Sequence, residues 1–192
     1  MQWWCAALGA PWVWRWRPYP GVWLFIALLG LAYWRLAGRG ATRGQRLCFG
    51  AGLLVLWSAL DWPLGALGGG YLASVHMVQF LLIALISPPL LLSGIPVSAL
   101  ERLVGRTVLF RIVGLLTHPL RSILLFGLVL VVTHWPAVVD TLMASQAGSF
   151  LLDMAWLGAG ICFWWPVIVI RKPTDPDSAL TNCPQHRRTS AR

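Results

Sequence analysis

The chain has 192 residues, 58% of them hydrophobic and 11% charged, with 13 tryptophans and a mean hydropathy of +0.70. A soluble domain carries roughly 25% charged residues and a disordered chain has low hydrophobicity, so both classes are excluded and lipid must cover the apolar surface. The formal charge of +9 arises from 15 Lys and Arg against 6 Asp and Glu. The basic residues fall in short segments between apolar stretches and form no basic stripe interleaved with aromatics, which argues for topology determinants and against nucleic acid.

Residues 1–20 carry Trp3, Trp4, Trp12, Trp14 and Trp16 and lack a run long enough to span a membrane, so they read as an indole-rich segment at the outer headgroup level. A bilayer core needs about 20 mainly apolar residues per helix. Five stretches meet that need: residues 21–37, 47–64, 71–94, 120–139 and 149–170. Pro88 and Pro89 in the third remove two backbone donors and predict a kink, or an end near Ser87. Gly68 to Gly70 before it lacks the context of a phosphate-binding turn and reads as a flexible loop. Between the third and fourth stretches, residues 97–116 interrupt an apolar pattern with Glu101, Arg102, Arg106 and Arg111 and read as an amphipathic helix lying on the membrane. Residues 171–192 form a polar tail in which Cys183 and His186 read as solvated. The expected architecture is all-α, a polytopic bundle of about five transmembrane helices in direct contact with membrane lipid.

Arg35, Arg39, Arg43 and Arg46 separate the first two spans, Arg102 to Arg121 the third and fourth, and Arg171 and Lys172 follow the fifth. The loops after spans two and four contain neither Lys nor Arg. The positive-inside rule then places the N-terminus outside and the C-terminus in the cytoplasm, against the preference of Arg15 and Arg17 alone.

Ionisable residues within spans are costly and therefore functional candidates. His76 in span three, His134 in span four and Asp153 in span five each fall about 6 to 8 Å below the outer surface by the helix rise, with Asp61 at the outer end of span two. Met77 and Met154 adjoin two of them, and Met143 lies in the outer loop. Imidazole and thioether donors suit copper, above all the cuprous ion, better than magnesium or calcium. The residue reading leaves three accounts open: an outward-facing copper site on His76 and His134 with Met77 and Asp153 as further ligands and Asp61, Met143 and Met154 in support; a haem held between the two histidines; and a metal-free bundle whose histidines hydrogen-bond across helices. No Ser-His-Asp order, H-E-x-x-H or P-loop points to an enzyme.

The ordered motifs His76-Met77-Val78-Gln79-Phe80, Pro88-Pro89-Leu90-Leu91, Thr133-His134-Trp135-Pro136 and Phe163-Trp164-Trp165-Pro166 resemble the CtaG family of cytochrome c oxidase assembly factors, associated with caa-type oxidases. Asp61-Trp62-Pro63 and the lead-in from Trp16 to Pro20 fit the same pattern, so the similarity covers about residues 16 to 167. The resemblance implies a plasma-membrane protein that helps mature the copper centre of a haem-copper oxidase, with an oxidase subunit or other assembly factors as partners. It also implies two histidines one turn apart in the third span, matched here by His76 and Phe80, and a histidine in the fifth span, matched by Asp153 after Leu152. A carboxylate in that position would make a harder cuprous site. The family usually continues with further spans, so this chain resembles a shortened, diverged member.

Overall fold

The computed structural model describes residues 2–6, 12, 14–37, 40–96, 98–99 and 118–168. Its regular elements are helices, and no strand occurs among the described residues. In chain order they are α1 (Pro20–Ala37), α2 (Arg43–Leu60), α3 (Leu64–Gly68), α4 (Ala73–Leu81), a π-helical turn (Leu82–Ile86), α5 (Ser87–Gly94), α6 (Pro119–Thr133), α7 (Pro136–Met143) and α8 (Gln146–Ile168). The expected surface helix of residues 97–116 and the polar tail of 171–192 lie outside the described residues.

Three helical segments are long and apolar enough to cross a membrane: α1, the continuous run from Ala73 to Gly94, and α8. The pair α6 and α7 would make a fourth if counted as one span, although it bends by 73°. The stretches expected as the second and fourth spans are not among these three. The fourth, expected to run unbroken from 120 to 139, stops at Thr133, because Pro136 supplies no amide to continue the ladder and biases Trp135 to an extended backbone. The second coincides with α2, but the first turn of α2 is polar, with Thr42 and Gln45 forming a capping box beside Arg43 and Arg46. Its apolar part, Leu47 to Leu60, rises only about 20 Å against a hydrocarbon core of about 30 Å.

The third stretch is continuous through its proline pair. Pro88 and Pro89 occupy the opening positions of α5, and the π-turn before them takes up the register change, with the Ser87 amide donating five residues back to Leu82. Pro88 offers no N–H to the Ala84 carbonyl one turn earlier. Gly160 of α8 fits against that carbonyl and the Pro88 ring, and a Cβ there would collide with both. On the opposite side α2 lies close along α5: a side chain at Gly52 would meet Leu91, and one at Gly94 would meet Phe49. Small residues at crossings let membrane helices approach to backbone distance. The core between these helices holds Leu56, Leu60, Phe80, Ile83, Leu152 and Trp156. The outer faces of α1 and α6 expose Leu24, Leu28, Leu31, Leu124, Leu128 and Val131, as lipid-facing helices do.

The N-terminal segment enters the bundle rather than lying wholly at its surface. Trp4 is 1% exposed, whereas Trp14 and Trp16 are 75% and 54% exposed. The Gly21 amide donates to the Trp3 carbonyl, and the Trp3 amide donates to the Gln146 side chain at the start of α8.

Candidate metal centre

Two helices bring one imidazole each to a common point. His76 lies on the inward face of α4, which is fixed by the burial of Gln79 and Phe80 one turn further on. His134 is the residue at which α6 ends, held by its own amide bonded to the Leu130 carbonyl. The ring centroids are 5.7 Å apart with the planes at 66°. Trp156 of α8 touches both, 5.1 Å from His76 edge to face and stacked at 5.7 Å on His134. Its indole N–H donates to the Thr133 hydroxyl, which in turn donates to the Val129 carbonyl.

The hydrogen bonds of the two rings settle which nitrogen is free. The Nδ1 atom of His76 meets the Gly68 carbonyl at 3.2 Å, and Nδ1 of His134 meets the Leu130 carbonyl at 2.9 Å. A carbonyl only accepts, so each Nδ1 carries the proton and donates, and in the neutral ring each Nε2 retains a lone pair. Both Nε2 atoms are buried without a hydrogen-bond partner. A buried polar atom left unpaired costs about 1 to 3 kcal/mol, and Asp61 Oδ1, Gln79 Oε1 and Ser149 Oγ share this condition. Imidazoles that donate through one nitrogen to a backbone carbonyl and keep the other free have the arrangement of metal-binding histidines.

The remaining expected ligands are distributed differently. Asp153 is 4% exposed, but its oxygens accept from the Trp4 indole at 2.8 Å and from the Gln79 amide at 3.4 Å. Asp61 likewise accepts from the Trp23 indole at 2.8 Å. Met77 is 45% exposed on the outer face of α4, about 100° around the helix from His76. Met154 is half-buried against the core. Met143, at the end of α7, is buried and borders a cavity that His76 also lines. Among the described residues no group of three or more His, Cys, Asp or Glu side chains is placed to hold one metal ion. Phe80, where the resemblance expects a second histidine, sets its ring edge-on to His134 at 4.9 Å and to Trp156 at 5.4 Å.

The residues that support this pair were not singled out by sequence. Gln79 carries a signal, a polar side chain three residues after His76 within an apolar run, but an uncharged amide is not among the ionisable groups that mark a site inside a span. Trp4, Trp156 and the Gly68 carbonyl carry none, since their roles depend on contacts distant in sequence or on the backbone.

The family described as cytochrome c oxidase caa3 assembly factor (Caa3_CtaG) matches residues 27–182. Two curated relatives, an uncharacterized protein of Mycobacterium bovis and an uncharacterized protein of Mycobacterium tuberculosis, are each 26% identical over 176 residues, covering 78% of this chain and 27% of the relative. The chain thus spans about a quarter of the length of these proteins. No solved structure gives a significant match. With its motifs in family order and the match covering most of its length, the chain belongs to the Caa3_CtaG family of cytochrome c oxidase caa3 assembly factors.

Proposed function

We propose that the chain is a non-enzymatic membrane assembly factor that takes up a cuprous ion at the outer face, holds it between His76 and His134, and passes it to an oxidase subunit or another assembly factor. The observation that carries the reading is the pair of buried, unpartnered Nε2 atoms on facing imidazoles, each oriented by a carbonyl at its other nitrogen. Two nitrogen donors without a third anionic ligand suit a low-coordinate, soft monovalent ion. Zinc in a closed site takes four ligands, and calcium takes six or more oxygens. Trp156 stacks on His134 and Phe80 packs edge-on against it, so apolar rings border the pair. Release by ligand exchange then requires a partner that brings its own soft donors.

Haem between the two histidines is less well supported. A porphyrin would have to pass between rings that Trp156 already touches on both sides of the pair and that Phe80 packs against. The orientation proposed is N-terminus outside and C-terminus in the cytoplasm, supported by Arg35, Arg43 and Arg46 between α1 and α2.

Anaerobic incubation of the detergent-purified chain with cuprous ion, followed by metal analysis, tests the assignment. About one copper per chain is expected for one shared site, and the double variant His76→Ala, His134→Ala should retain none. Equal retention by the variant sinks the histidine pair. A strong Soret band in the purified protein would establish haem instead, and no copper in either form would leave a metal-free scaffold.

A further inference from the structure

A cavity of about 400 Å³ lies at the start of α1, lined by Gln2, Arg17, Pro18 and Tyr19. Its volume falls within the roughly 300 to 1,000 Å³ of small-molecule sites. Backbone bonds build it. The Gly21 amide donates to the Trp3 carbonyl, which draws Gln2 beside the residues leading into α1, and the Trp3 amide is pinned to the Gln146 side chain of α8. Tyr19, 4% exposed, is a buried wall, whereas Arg17 is exposed and can be reached from the headgroup layer. We propose that this cavity holds the headgroup of an anionic phospholipid, with Arg17 binding its phosphate. The site is separate from the histidine pair and does not depend on it.

The charge at Arg17 has no counter-ion within the protein. No Asp or Glu precedes Asp61 in the sequence, and one Asp61 oxygen accepts from the Trp23 indole while the other is buried without a partner. Asp140 lines a different cavity, beside His76. Under the proposed orientation Arg15 and Arg17 also lie outside, against the positive-inside rule, so an anion that belongs to the membrane accounts for a charge that topology does not. The amides at the head of α1 are not the donors: Pro20 has none, and those of Gly21, Val22 and Trp23 bond to the Trp3 and Tyr19 carbonyls. Recognition therefore falls to the guanidinium, whose planar fork of donors matches phosphate oxygens.

The surroundings favour a lipid over free phosphate. Trp16 pairs with Trp23, Trp14 with Trp62 and Trp12 with Tyr71, an aromatic collar of the kind that sits at the headgroup level. Beyond the cavity α1 exposes Leu24, Leu28 and Leu31, along which acyl chains can lie. The lining also selects among headgroups. It holds no carboxylate, so choline or ethanolamine would bring an unpaired ammonium beside Arg17, whereas the hydroxyls of a glycerol headgroup can bond the Gln2 amide. Phosphatidylglycerol meets these constraints and phosphatidylcholine does not.

Native mass spectrometry of the detergent-purified full chain, titrated with either lipid, tests the site. The first phosphatidylglycerol adduct should form at a lipid concentration about tenfold below that for phosphatidylcholine, as expected for a charge-assisted hydrogen bond to one arginine. Arg17→Ala should abolish this preference, and Arg17→Lys, which keeps the charge without the fork, should restore part of it. Arg15→Ala is the control, because Arg15 carries the same charge on the same segment but does not line the cavity. Diffuse attraction to anionic lipid would weaken by about fivefold in either alanine variant alike, so equal losses at the two positions would overturn the cavity site. Equal affinity of the wild type for both lipids would overturn the anionic headgroup. An excess of inorganic phosphate should leave the adduct in place, and its displacement by phosphate alone would assign the cavity to the free ion and overturn the lipid.

Discussion

Two carboxylates inside the bundle are each held by the indole N–H of a tryptophan from the N-terminal part of the chain: Asp153 by Trp4 and Asp61 by Trp23, both at 2.8 Å. Both donors are neutral, so hydrogen bonding rather than ion pairing does this orienting. Removing one partner of a buried hydrogen bond costs about 1 to 3 kcal/mol. Trp4→Phe keeps most of the ring packing against Phe25 and Phe150 and removes only the donor. It should lower stability by about that amount, read as an earlier thermal unfolding in detergent; an unchanged midpoint would show that the bond is not formed in solution. Cys5 beside it donates to the Leu60 carbonyl at 3.2 Å, and burial first, then the Asp153 carboxylate, push its thiol well above the usual range. It should therefore resist maleimide at pH 8 in the folded protein and react after denaturation in SDS, and rapid labelling of the folded chain would contradict this burial. At this scale His76 and His134 were legible in the sequence, because an ionisable group in an apolar run is too costly to sit there without a role. The partners of Asp153 were not legible: Trp4 lies 149 residues away.

The helices themselves were legible as apolar runs, and their interruptions were legible only in part. Pro88-Pro89 signalled a disturbance, yet its form, a π-turn relieved by a glycine on another helix, depends on a partner that no local pattern reveals. The end of α6 had a local signal in Trp135-Pro136, outweighed by the hydropathy of Ala137 to Val139 beyond it. His134 was thus expected five residues deep in a continuous helix and is found at a helix end, where its ring is free to turn toward His76. Gly160 is the element-level residue most open to test. A leucine there would drive into the Ala84 carbonyl and Pro88, separating α8 from α5, and overpacking of this kind costs about 1 to 3 kcal/mol. Gly158 on the same helix has nothing within contact distance of an added Cβ, so Gly158→Leu should leave the midpoint unchanged. Equal effects from the two substitutions would show that the α8–α5 contact is looser than described.

For the whole molecule, composition alone settled the class, since chains this apolar fold only where lipid covers them. The shielding of α2 by α5, α1 and the π-turn was not legible, because it depends on contacts distant in sequence. A reporter that fluoresces only in the cytoplasm, fused after Arg192, should light up under the proposed orientation, and a periplasmic reporter active in that position would reverse it. The relatives are roughly four times as long as the aligned region, so a region similar to this chain occurs within longer proteins.

The seat of Trp4 has a consequence for how the molecule is made. Its indole bonds to α8, and the amides of Trp3 and Trp4 bond to Gln146 at the start of the same helix. A ribosome releases Trp3 and Trp4 long before α8 exists, so they emerge with nowhere to dock. During insertion of α1, α2 and the proline-bearing helix, Asp153 has not yet been synthesised and the slot that Trp4 fills has no second wall. The leading segment must wait at the membrane surface, where indoles are at home, and enter the bundle last. Trp4 can therefore reach its seat only after α8 is in place.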